Sequence, residues 1–166
     1  MKKAFLLLLL LLLPALLLFG CGGEEEPVAD QLTAVLGSAA SLPAGVLYAS
    51  AAAPYEEGHA LTEELVAALY ARADGQLEYA GRVEEAAVYL SSGSEGDYLE
   101  VALFSCYGSA DTDAVAEMCL RRARLVAAHT ELRAEDAVIL LSGRRVLLCL
   151  GTDAALTARI AERFPG

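Results

Sequence analysis

Lysine is absent from this sequence after Lys3, so arginine and histidine supply every other basic side chain. Without lysine, the rest of the chain can form neither a P-loop nor a Schiff base. The 23 acidic residues exceed the 12 lysines and arginines, and the 166-residue chain has a formal net charge of −11. Nucleic-acid-binding proteins need a basic surface to displace counterions from phosphates, so this balance argues against a nucleic-acid partner. It also argues against electrostatic attraction to anionic lipid.

The first 20 residues have the pattern of an export signal. Lys2 and Lys3 precede an apolar run from Ala4 to Phe19, which Pro14 interrupts. The run has 16 residues, fewer than the roughly 20 that a membrane-spanning helix needs. A positive start followed by a short apolar run is typical of a signal peptide.

The apolar run ends in Leu18-Phe19-Gly20-Cys21, which resembles the lipobox of bacterial lipoproteins. In that class the cysteine thiol receives a diacylglyceryl group, and the signal is cut just before it. We therefore expect residues 1–20 to be the signal peptide. Acylated Cys21 would then hold the protein in the lipid bilayer, on the outer face of the bacterial cytoplasmic membrane. An ordinary secretory signal and an uncleaved anchor helix are the alternatives.

Residues 21–27 are expected to be the lipidated cysteine and a flexible acidic tether. Two glycines, three glutamates and a proline follow Cys21, and this composition favours an extended, solvated segment. A metal-binding acidic tail is the alternative. The remaining residues, 28–166, suit a single domain with one core.

Hydrophobic periodicity and turn residues predict the element order α-β-α-ββ-α-ββ-α after the tether. Because neighbouring strands with short connections pair antiparallel, the predicted fold class is α+β. We expect a single antiparallel sheet of about four or five strands, with helices mainly on one face. The helices are predicted near 28–36, 63–72, 111–128 and 153–164, and the strands near 45–50, 86–91, 98–105, 137–141 and 146–150.

Three cysteines follow Cys21, and each falls in an apolar stretch. Cys106, Cys119 and Cys149 are expected to be small buried side chains. A Cys106–Cys119 disulfide is the first alternative. A metal site is the second, although no two of the three have the spacing of a zinc site.

Neither histidine has a convincing set of partners in the sequence. Glu56 and His59 have the Glu-x-x-His spacing, which binds metal when two such motifs face each other on helices. Here the motif occurs only once, and it falls in a predicted loop. Solvated loop residues are therefore expected there. His129 ends the long predicted helix, where its charged form favours the helix dipole. We expect no metal and no cofactor.

Glu100 and Arg122 each interrupt an apolar face. Arg122 falls between Val115 and Met118 on a helical wheel, and Glu100 lies between Tyr98 and Ala102 on one strand face. We expect the long helix to cross the sheet so that the two charges pair, with a structural role favoured over contact with a ligand. The alternative is that Arg122 extends its head into water while Glu100 faces solvent at a sheet edge.

Several features together resemble the domain of unknown function 4358 family, which consists of small lipoproteins of Gram-positive anaerobes. They are the lipobox, the acidic tether, the strand from Glu100 to Phe104, a helix containing Arg122, and a hairpin through Gly143 before a closing helix. The resemblance covers residues 28–164. It implies an envelope location and an α+β fold, and no activity, because the family has none assigned.

The expected function is that of a membrane-anchored envelope lipoprotein with a non-catalytic binding or accessory domain. Its partner would be an envelope protein, a wall component or a small ligand. The alternative is a small envelope hydrolase or transferase that uses His59 or His129 with a carboxylate. A purely structural subunit of an envelope complex is the third hypothesis.

Overall fold

A computed structural model describes residues 26–50, 59–92 and 95–165. Those residues form four α-helices and one open antiparallel sheet of five strands, so the predicted α+β class and element order are confirmed. The helices are α1 (Val28–Leu36), α2 (Glu63–Tyr70), α3 (Thr112–Ala127) and α4 (Ala154–Ala161), and the strands are β1 (Gly45–Ala49), β2 (Val83–Ser91), β3 (Leu99–Cys106), β4 (Val138–Ser142) and β5 (Arg145–Gly151).

The strands lie in the order β1-β2-β3-β5-β4, and every neighbouring pair is antiparallel. β3 is therefore the central strand. The chain crosses from β3 through α3 to the edge strand β4 and returns as β5, which lies between β3 and β4. Gly143 begins the tight turn between β4 and β5 with φ 58°, a conformation that glycine adopts without steric cost.

Short side chains fix where two of the helices begin. Thr62 accepts a hydrogen bond from the backbone N–H of Leu65 at 3.2 Å and caps α2. Asp153 accepts from the N–H groups of Ala155 and Leu156 at 2.9 and 3.0 Å and caps α4. Each contact satisfies backbone donors that the first helical turn leaves unpaired.

The start of α1 is held to the sheet by a distant carboxylate. Pro27 occupies the cap position and makes no side-chain cap hydrogen bond. The backbone N–H of Val28 instead donates to Oε1 of Glu85 on β2, at 3.0 Å. The folded domain therefore begins directly after the predicted tether.

The helices lie on both faces of the sheet, so the expectation that they lie mainly on one face is wrong. α1 and α4 pack on one face, and α2 and α3 pack on the other. The reason is that all eight residues of β3 are buried, which requires cover on both sides. The first face includes Val101, Leu103, Leu147 and Cys149, and the second includes Ala102, Phe104, Val146 and Leu148.

The predicted signal peptide, Cys21 and most of the predicted tether lie outside the described residues. In the part of the chain that is described, no helix has both the length and the apolar character needed to cross a membrane.

Candidate functional site

Glu100 is fully buried in the middle of the molecule. It lies on the central strand β3, opposite Leu90 of β2 and Leu150 of β5. An isolated carboxylate in such surroundings would cost several kcal/mol, so it needs a positive partner or several hydrogen-bond donors.

Arg122 supplies the positive partner, and the predicted contact between the two residues is present. Its Nε lies 2.9 Å from Oε2 and 3.2 Å from Oε1 of Glu100, and its Nη2 lies 2.8 Å from Oε2. The Arg122 side chain is 13% exposed. The planar guanidinium thus meets both carboxylate oxygens. The alternative with Glu100 at a sheet edge is excluded, because β3 is the central strand.

Two tyrosines complete the cluster, and the sequence analysis missed both of them. Tyr70 of α2 donates its hydroxyl to Oε1 of Glu100 at 2.9 Å. Tyr98 donates to Oε2 at 2.5 Å and accepts from Nη2 of Arg122 at 3.3 Å. The sequence pattern places Tyr98 on the strand face of Glu100 but does not predict that its hydroxyl binds the carboxylate. Tyr70 lies four residues after buried Val66, and a phenol on a buried helix face needs an acceptor.

Burial and charge keep the donors of this cluster protonated. Burial raises the pKa of Tyr70 well above its usual value, and the adjacent Glu100 carboxylate raises it further. The same two causes raise the pKa of Tyr98. Burial lowers the pKa of Arg122, but the charge and hydrogen bonds of Glu100 raise it by more. At neutral pH the phenols therefore act as hydrogen-bond donors and the guanidinium carries its full charge.

The cluster connects α2, β3 and α3 around one carboxylate. Both oxygens of Glu100 already accept hydrogen bonds from Arg122 and from a tyrosine. A general base must reach a substrate proton, and this carboxylate is buried and fully engaged. The geometry is that of a structural centre rather than a reactive one.

Tyr70→Phe is expected to lower the free energy of unfolding by about 1.5–3 kcal/mol, because it removes a hydrogen bond to a charged, buried acceptor and keeps the ring. Urea denaturation measures the change. Tyr107→Phe is the matched control, since Tyr107 is 58% exposed, and we expect almost no effect from it. Equal effects of the two substitutions would contradict a stabilising contact between Tyr70 and Glu100.

The two histidines are not brought together with a carboxylate in the described residues. His59 is half-buried and contacts the ring of Tyr48 edge-on, with 6.5 Å between the ring centroids. Its predicted neighbour Glu56 lies outside the described residues. His129 is exposed just after α3. Neither imidazole forms a hydrogen bond with an acidic side chain within the part of the chain that the structure covers.

Cys106, Cys119 and Cys149 are all buried and free, as expected for small apolar side chains. Burial raises the pKa of all three thiols, that of Cys149 to about 12. They are therefore protonated and unreactive at neutral pH. Among the described residues, no group of three or more His, Cys, Asp or Glu side chains is arranged to hold a metal ion.

Comparison with known proteins gave no matching family model, no matching curated protein and no matching solved structure. A role for the chain must therefore be inferred from its own residues and their geometry.

Proposed function

We propose that this chain is an envelope lipoprotein, anchored through acylated Cys21 to the outer face of the bacterial cytoplasmic membrane. The observation that carries the proposal is the sequence Leu18-Phe19-Gly20-Cys21 at the end of a short apolar run that follows two lysines. In lipoproteins, a cysteine directly after such a run is the residue that is acylated and before which the signal is cleaved. Two acyl chains give stable attachment, whereas one chain gives only marginal binding.

The domain that follows the anchor is proposed to be a non-catalytic binding or accessory domain. Support comes from the engaged carboxylate of Glu100 and from the buried thiols, which leave these groups unable to act on a substrate. The resemblance to the domain of unknown function 4358 family supports the envelope location and suggests no activity. Among the described residues, neither His59 nor His129 has a carboxylate as a hydrogen-bond partner, so those residues give the hydrolase or transferase alternative no support.

The tether would keep this domain close to the bilayer. Residues 22–27 span at most about 20 Å when fully extended, and α1 begins at Val28 against the sheet. The excess of acidic side chains opposes direct adsorption to anionic lipid. The domain is therefore positioned to meet partners near the membrane surface without lying on it.

Cys21→Ser is expected to abolish lipid attachment and to move any processed protein from the membrane fraction to the soluble fraction. Incorporation of a labelled fatty acid, followed by fractionation, measures both effects. Cys106→Ala is the matched control, because it removes a thiol that is buried in the domain and should leave the label in place. If the Cys21→Ser protein kept its label, or still required detergent for release, the anchoring proposal would be wrong.

A further inference from the structure

A cleft of about 320 Å³ lies where the end of α2 meets the second half of α3. Its wall includes Arg72, Arg121, Arg122 and Arg124, together with Leu69 and Leu125. The whole sequence has only ten arginines and carries a net charge of −11. Four arginines around one cleft are therefore a local concentration of positive charge in an acidic protein.

Glu100 neutralises Arg122, so the remaining positive charge of the cleft comes from Arg72, Arg121 and Arg124. Other carboxylates of the domain neutralise only part of it. Glu78 forms ion pairs with both Arg72 and Arg121, so two guanidinium groups share one carboxylate. Arg72 also lies 3.5 Å from Asp74, in a pair that is about half-exposed on both sides. Such exposed pairs are weak, and another anion can compete with them.

Two arginines of the cleft have guanidinium N–H groups that lack a partner among the described residues. Arg124 is exposed and forms no ion pair within the described residues. The Nε of Arg121 is buried and has no hydrogen-bond partner. In the described part of the chain, it is the only buried side-chain nitrogen or oxygen without one. Buried donors are normally paired, so the chain itself uses the hydrogen-bonding capacity of Arg121, which lines the cleft, incompletely.

The cleft also has an apolar side. Leu125 is 45% exposed, which is unusual for a large apolar side chain in this domain, and Leu69 lies on the same wall. Clefts that bind small molecules combine apolar walls with a few polar groups that fix orientation.

We propose that this cleft binds a small amphipathic oxyanion, with a carboxylate or phosphate head against the arginines and an apolar part against Leu125. The planar guanidinium group matches both kinds of head. The ligand is small because the acidic balance of the rest of the chain repels a long polyanion over a distance of about 10 Å at moderate salt. The proposal rests on the binding role proposed above and adds the class of ligand that is bound. It does not depend on acylation of Cys21.

The test is calorimetric titration of the full chain, in uncharged detergent, with butyl phosphate, butyrate and butanol. Saturable binding of at least one of the two anions and none of the alcohol is expected. Arg124→Gln should weaken the binding of that anion by about tenfold or more, since it removes a charged hydrogen-bond donor. Leu125→Ser should weaken binding of that butyl anion but leave unchanged the affinity for its head group alone, which is titrated as inorganic phosphate or as formate.

Arg159→Gln is the matched control, because Arg159 is also an exposed arginine in the last turn of its helix, on α4. It should leave the affinity unchanged. Phosphatidylglycerol added to the detergent, with phosphatidylcholine as the neutral control, competes with the anion if the cleft accepts a lipid headgroup; if the cleft accepts only soluble anions, the titration is unaffected. Absence of saturable anion binding, or equal weakening by Arg124→Gln and Arg159→Gln, would overturn the proposal, while a failure of Cys21 acylation would leave these titrations unaffected.

Discussion

Glu100→Gln and Arg122→Met are each expected to lower the free energy of unfolding by about 3–5 kcal/mol, and the double variant should recover much of that loss. Either single substitution leaves one member of a buried ion pair without its charged partner. Removing both charges leaves no unpaired ion, so the coupling energy between the two sites should be large. Urea denaturation of the four proteins, with unchanged m-values, measures it.

The pair formed by Arg133 and Asp136 is the control for this cycle. Its two hydrogen bonds, of 2.6 and 2.8 Å, give it a similar bidentate form, but both side chains are well exposed. Its cycle should show almost no coupling. Small and additive effects at Glu100 and Arg122 as well would mean that the central pair behaves like two independent surface charges.

Leu103→Ala and Phe104→Ala are both expected to be strongly destabilising, by about 2–5 and 3–5 kcal/mol respectively. The two residues are neighbours on β3 and point to opposite faces of the sheet. Leu103 packs in the core formed with α1 and α4, and Phe104 packs in the core formed with α2 and α3. Because helices cover both faces, either truncation leaves a cavity.

Leu141→Ala is the control for these truncations. Leu141 lies on the edge strand β4 and is 48% exposed, so its loss should cost less than about 1 kcal/mol. If Leu103→Ala were as mild as this control, the face that carries α1 and α4 would not be a packed core. The same urea denaturation experiment gives all three values.

The elements of the fold could be predicted because their signals are local. The periodicity of residues 28–36 predicted a helix with the observed bounds. Residues such as Thr62 and Asp153 commonly cap helices, and both do so here. The distribution of helices between the two faces was harder to predict. In β3 and β5, apolar residues follow one another without alternation, as at Leu147 and Leu148. Because both faces of such a strand are apolar, the pattern does not predict which helix covers which face.

The ion pair of Glu100 and Arg122 could be predicted because each charge stands alone on an apolar face. The tyrosines were missed for a different reason. Whether Tyr70 reaches Glu100 depends on how α2 packs against β3 and α3, and those residues are far apart in the chain. The cap that Glu85 provides for α1 is also a contact between distant segments, and no local pattern indicates it.

The intact mass of the protein purified from membranes tests the proposed anchoring most directly. The account predicts a chain that has lost residues 1–20, begins with Cys21 and carries the added mass of a diacylglyceryl group. A chain with an unmodified Cys21, or one that keeps the first 20 residues, would contradict it.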